Sequence, residues 1–173
     1  MSEVTSYMRI DGIEPESAAT ALLNINGKKG FFVVDPWAWE AARAISNTIG
    51  DGNNADRGMV AIGEVLISRS KIDGATPYIL SWLLAPGNEG KTVEIVSTVP
   101  GRDGSGLIPT TILTLTGARL AHNTLSPDRS TMSIAYNSFS IAFYFEDEGG
   151  KIEKGPEIAY DLTTAEATSL AKK

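Results

Sequence analysis

Apolar residues recur at every second position in short segments along this chain, and glycine punctuates them. The alternation is seen from Tyr7 to Ile13, Phe31 to Glu40, Met59 to Ile72, Thr92 to Val99, Thr110 to His122, Met132 to Phe145 and Glu157 to Leu162. A period of two is the signature of strands, so the pattern predicts about seven of them. Val93, Ile95 and Val99 share one parity while Glu94 and Thr98 take the other, as expected of a sheet with one dry face. In the segment from Met132 to Phe145 the parity changes. Met132, Ile134 and Tyr136 are even, whereas Phe139, Ile141, Phe143 and Phe145 are odd. Either a bulge near Asn137–Ser138 or a bend that carries the strand from one sheet to another would produce that shift.

One segment breaks the period-two pattern. Tyr78-Ile79-Leu80-Ser81-Trp82-Leu83-Leu84 follows Asp73-Gly74-Ala75-Thr76-Pro77, with Thr76 placed as N-cap, Pro77 at the first helical position and Gly87 as the stop. Ile79, Trp82 and Leu83 form one stripe of this helix, and Leu80 and Leu84 form a second that hints at an interface. Three stretches read as loops: 47–58, 101–106 and 148–156. The first is too long for a hairpin turn and carries Gly52, Asn53, Asn54, Asp56, Arg57 and Gly58, which makes it a candidate contact arm. Residues 163–173 read as a loose, helical tail, and the core of a single domain spans residues 5–162 within 1–173.

The fold class expected is mainly β: two packed antiparallel sheets forming a small barrel with one short flanking helix. A chain of 173 residues buries enough surface to need no staple. The lack of cysteine removes disulfides, thiolate metal sites and cysteine nucleophiles, and suits a reducing compartment. Neither a signal-peptide pattern at the N-terminus nor a stretch of about 18 apolar residues occurs, so no membrane insertion is expected. With 21 acidic against 15 basic residues and a net charge of −6, the chain lacks the basic surface that nucleic acid requires. The acidic run Glu146-Asp147-Glu148, before Gly149-Gly150, reads as a solvated turn.

Candidate chemistry is sparse. The run from Ala85 to Thr92 satisfies a relaxed phosphate-loop pattern, but a helix precedes the loop and Lys91-Thr92 opens a strand, the reverse of the order that aims a helix N-terminus at phosphates. His122 is the sole histidine, so a multi-histidine metal site is excluded and any catalytic triad would depend on it alone. The segment from Asp51 to Ile62 fails as a calcium loop because Ala55, Asp56 and Ile62 occupy ligand or glycine positions. No catalytic residue, metal or cofactor is expected. Trp37 and Trp39, two apart in Phe31 to Glu40, would face one side of a sheet and are placed in the core or at a subunit interface.

The motifs also have an order. The opening strand and turn, Met8 to Ser17, precede the tryptophan strand Pro36-Trp37-Ala38-Trp39, the long loop 47–58, the Asp-x-Ala-Thr-Pro helix start at Asp73 to Pro77 and the late strand of changed parity. In that order and spacing the chain resembles the haemolysin-coregulated family of type VI secretion tube proteins, from Tyr7 to about Leu162. The insertion from Thr20 to Gly30 and Pro36, which lacks a ladder donor, depart from the family pattern. The resemblance implies hexameric rings that stack into an ejected tube, with small effector proteins in the lumen and a spike protein and contractile sheath as further partners. It implies residence in the bacterial cytoplasm before firing, and export without a signal peptide. On this reading the arm and the tryptophan pair make subunit or ring-to-ring contacts. A contractile phage tail tube shares the same logic, a monomeric ligand- or glycan-binding barrel would use the tryptophans, and a hydrolase would use His122.

Overall fold

The structure, a computed structural model, describes residues 4–13, 28–43, 60–101, 104 and 106–172. Among them the chain forms β1 (Thr5–Ile10), β2 (Phe32–Val34), β3 (Ala41–Arg43), β4 (Val60–Ile62), β5 (Val65–Arg69), α1 (Thr76–Leu84), β6 (Lys91–Pro100), β7 (Leu107–Leu125), β8 (Ser130–Ala135), β9 (Ser138–Glu146), β10 (Ile152–Asp161) and β11 (Glu166–Ser169). The fold is mainly β with one helix, as the alternation predicts, and every strand pairing is antiparallel.

A small barrel closes around the core. β2 pairs with β1, β1 with β6, β6 with β7, β7 with β8 and β8 with β5. The circuit returns to the chain after β2, where the Asp35 amide donates to the Ser68 carbonyl at 2.8 Å, and Ala38 and Leu66 exchange two backbone hydrogen bonds of 2.9 Å. Met8, Ile10, Phe32, Val65, Ile67, Ile95, Leu113, Leu115 and Ile134 fill the interior, joined by Ile79 and Trp82 from α1. From the first half of β7 the sheet continues as a wing of β9, β10 and β11, whose Phe139, Ile141 and Tyr160 pack against the core.

β7 is what lets one strand serve both parts, and it explains the parity change. Its core-facing residues switch from Leu113 and Leu115 to Ala118 and Leu120, matching the switch from Phe139 to Tyr136 and Ile134 along β9 and β8 opposite it. The register does not slip there, because Thr116 pairs with Ser138 and Arg119 with Ala135, two residues intervening on each side. No bulge is present at Asn137–Ser138; of the two routes, the bend is the one taken. Gly117 supplies it with φ +64, a conformation that favours glycine. Beyond it β8 leaves β9's wing to pair with β5.

Several boundaries differ from the periodicity. Phe31 to Glu40 is not one strand, since Asp35-Pro36 ends β2 and Trp37 and Trp39 flank the isolated bridge at Ala38. Met59 to Ile72 divides at Gly63-Glu64 into β4 and β5, and β10 begins inside the expected loop at Ile152. The expected helical tail is instead β11, which turns back on β10 after Ala165 (φ 57). Both faces of β6 are covered: Glu94 and Thr98 are buried, because Phe31 with Tyr7 and Val96 forms a second apolar cluster away from the main core. The Lys28 ammonium reaches Glu94 there. α1 begins at Thr76, one residue before the expected first helical position Pro77, so Thr76 is not its cap. Ala75 is, with no side-chain capping bond, and Asp73 Oδ1 instead accepts the Ala75 amide at 3.0 Å.

Candidate functional site

The described residues on either side of 44–59 pair with each other. Ala41 pairs with Ile62, Ala42 with Ala61 and Arg43 with Val60, so β3 and β4 form a two-stranded ribbon. It belongs to neither the barrel nor the wing. All three β3 residues are exposed, whereas Val60 and Ile62 of β4 are half-buried and Ile62 packs against the core. An isolated two-stranded ribbon is marginally stable in water, which is the physical reason to expect it to rest on something. Gly52, Asn53, Asn54, Asp56, Arg57 and Gly58 lie outside the described residues.

Where the ribbon joins the body, the Gly63 amide donates to the Glu40 carbonyl at 2.9 Å. The Trp39 indole N–H donates to the Tyr136 hydroxyl at 2.7 Å, and that hydroxyl donates to the Gly63 carbonyl at 2.7 Å. The Trp39 ring also lies 5.0 Å from Phe139, centroid to centroid. Trp37 donates to Ser97 Oγ at 3.1 Å. Both tryptophans are half-buried and pack against the core, so their indole N–H groups are engaged within the chain. Burial raises the Tyr136 phenol above its ordinary value, against a smaller lowering from the Trp39 hydrogen bond, and the charge of Glu64 adds to the rise.

Ala38, Trp39, Glu40, Glu64 and Leu66 line an open depression beside this hydrogen-bonded chain. Leu66 is 55% exposed, although it sits within a strand of the barrel wall. The sequence pattern singles out Trp39 here but not Glu40, Glu64 or Leu66. Glutamates beside a turn look like any solvated strand end, and only the meeting of the ribbon base with β5 brings the two together.

The other sequence candidates are dispersed. Lys91 and Thr92 open β6 after α1, so no helix N-terminus faces that loop. Gly90 instead allows a close backbone crossing: a Cβ there would fall 2.4 Å from the carbonyl carbon of Gly117. His122 is exposed on β7 opposite Ser133, with no side-chain hydrogen bond among the described residues. Among those residues no cluster of three or more His, Asp or Glu side chains could hold a metal ion, and no helix is long and apolar enough to cross a membrane. Glu146 to Gly150 is a turn in which Asp147 Oδ1 accepts the Gly149 and Lys151 amides at 3.0 and 2.8 Å.

Large apolar side chains stand in solvent away from any pocket. Leu84 at the end of α1 is 81% exposed and Tyr78 on the same helix 47%. On the wing, Phe145 is 60% exposed and stacks on Phe143 with centroids 6.4 Å apart, while Gly155 of the neighbouring strand makes room for its ring. Scattered exposed apolar residues are ordinary, but paired aromatics on an extended sheet mark surfaces that meet partners.

No protein-family model and no curated protein sequence matches the chain. Solved structures do match its fold. One described as a type six secretion system protein aligns with a TM-score of 0.75 and 18% identity, over 96% of this chain and 100% of its own. Hcp1 from Salmonella typhimurium aligns at 0.64 and 16% identity, over 96% of this chain and 99% of its own. A type VI secretion system effector from Yersinia pestis aligns at 0.59 and 17% identity, over 90% and 98%. The chain therefore has the fold of the Hcp proteins over nearly its whole length.

Proposed function

We propose that this chain is the tube subunit of a type VI secretion system. It closes into six-membered rings that stack into the inner tube, carries small effector proteins in the lumen, and is ejected with the spike when the sheath contracts. The observation that carries this reading is the whole-chain agreement in fold with a type six secretion system protein at a TM-score of 0.75. Three features of the surface support it. A two-stranded ribbon outside the main sheet flanks residues 44–59, Tyr78 and Leu84 of α1 are exposed, and Phe145 stands exposed beside Phe143 on β9.

The role is structural, without catalysis or cofactor. Its chemistry is that of association: a head-to-tail contact that closes makes a ring, and a ring presents two faces for stacking. The ribbon with residues 47–58 reaches the neighbouring subunit or ring, and Trp37 and Trp39 hold its base in place. Export through the contracting machine would need no signal peptide, and the protein would wait in the cytoplasm until firing. Deleting Gly52 to Asp56 is expected to leave the fold intact and to shorten or abolish stacked tubes under the electron microscope. Tubes of unchanged length and abundance would refute the arm's role.

A further inference from the structure

We infer that the two ends of the β5–β8 sheet are the two halves of one contact between copies of this chain: the surface carrying Glu40, Glu64 and the exposed Leu66 meets Lys71, Arg129 and the exposed Ile72 and Leu125 of the next molecule. This rests on the assembly reading above and deepens it.

β5 and β8 pair from Val65–Ile134 at one end to Arg69–Ser130 at the other, so roughly 13 Å of strand separates the ends. At the first end, Trp39 and the exposed Leu66 are bordered by Glu40 and Glu64. Neither carboxylate has an ion-pair partner among the described residues. Glu40 folds across Gly63, where a Cβ would meet its Cγ at 2.9 Å, which keeps this rim beside the ribbon base.

At the second end the β7–β8 hairpin turns at Ser126 to Arg129, with the Ser126 amide donating to the Arg129 carbonyl at 2.8 Å. Ile72, Leu125 and Pro127 gather there around a second depression, Ile72 being 40% and Leu125 48% exposed. Lys71 and Arg129 are exposed next to them, with no ion-pair partner among the described residues. The nearby Asp128 accepts from Ser126 Oγ at 3.2 Å. Each end thus pairs exposed aliphatic surface with charge of one prevailing sign: two carboxylates at the first, and two cations against the single carboxylate of Asp128 at the second. A self-complementary pair of surfaces on different ends of one sheet is what a head-to-tail contact requires. A second copy is the occupant that supplies both the cations and the exposed aliphatic side chains in one piece.

The test is charge reversal and re-pairing in the full chain, read as mass against concentration by light scattering and as particles by electron microscopy. Glu40→Lys with Glu64→Lys, and separately Lys71→Glu with Arg129→Glu, are each expected to raise the concentration of half-assembly on the order of tenfold or more. All four changes together are expected to restore assembly, because the reversed ends match again. Glu40→Gln with Glu64→Gln reports the same contact as a smaller shift should a reversal fail to fold. A wild type that stays monomeric overturns both this inference and the assembly reading. A wild type that assembles while the two-residue variants assemble equally well, or a fourfold variant that fails to recover, overturns this inference alone.

Discussion

The backbones of Gly90 and Gly117 touch: a Cβ on Gly90 would lie 2.4 Å from the carbonyl carbon of Gly117 and 2.6 Å from its Cα. Here the loop before β6 crosses β7 at the bend that divides barrel from wing. Gly90→Ala is expected to destabilise the fold by about 1–3 kcal/mol through overpacking against backbone that cannot swing aside. Gly117→Ala adds a left-handed penalty of about 1–2 kcal/mol to a clash with the Asn137 side chain. Urea unfolding of both variants, with Gly87→Ala as a control for a positive-φ glycine in open space, checks this. A Gly90→Ala variant as stable as wild type would contradict it.

Arg69 is the charged residue most deeply set in the barrel. Its Nη2 donates to Asp73 Oδ2 at 2.6 Å, its Nε to the Val33 carbonyl at 3.3 Å and its Nη1 to Thr76 Oγ1 at 3.4 Å, with the guanidinium 4.8 Å from the Phe32 ring centre. One side chain therefore ties β2, β5 and the start of α1 together. Arg69→Ala is expected to cost about 3–5 kcal/mol, since it leaves a nearly buried carboxylate unpaired. Arg69→Lys should recover only part of that, because an ammonium cannot span three acceptors in the guanidinium's plane. Thermal melts of the two variants decide; equal melting temperatures for lysine and alanine would refute the fork.

Tyr136→Phe removes the hydroxyl that joins Trp39 to the Gly63 carbonyl. The expected cost is about 1–3 kcal/mol from the orphaned indole N–H and carbonyl. Because the native phenol is raised, chiefly by burial, its contribution to stability is full below about pH 10 and is lost as pH rises through the native value. Wild type should therefore lose stability in alkali more steeply than Tyr136→Phe. Parallel alkaline limbs in the two proteins would count against this assignment.

On the wing the sign reverses. The Lys154 hydrogen bond holds Glu157 below the usual carboxylate range, and the Thr163 hydroxyl and amide do the same for Asp161. Stability from these groups is present above about pH 4 and lost as pH falls through their lowered native values. Acid should thus loosen the β10–β11 hairpin, seen as lower amide protection factors in Glu166 to Ser169. Asp161→Asn should lower that protection already at neutral pH. Carboxylate resonances that titrate at ordinary positions would contradict it.

How much of this was legible in the sequence follows from which forces wrote it. Alternation reveals the strands whose one face is buried, and Pro77 marks the first turn of α1 to within one residue, because both are local effects. The parity change at Met132 to Phe145 was visible, but its cause lay in Gly117 on another strand, so bulge and bend could not be told apart along one segment. β11 is not legible because Glu166-Ala167-Thr168-Ser169 has no apolar face and is held by edge pairing and the Ser169 hydroxyl on the Glu157 carbonyl. Arg69 reads as a surface residue until the Val33 carbonyl of β2 joins the nearby Asp73 and Thr76 as its third acceptor. Of the candidate site, Trp37 and Trp39 stood out by type. Glu40, Glu64 and Leu66 did not, since only the closure of the barrel at Ala38 and Leu66 brings them side by side.

The most direct measurement is negative-stain electron microscopy of the purified full chain, paired with its mass in solution. The account predicts open-centred rings of six copies, alone or stacked into tubes. A compact monomer that persists at high protein concentration would contradict it.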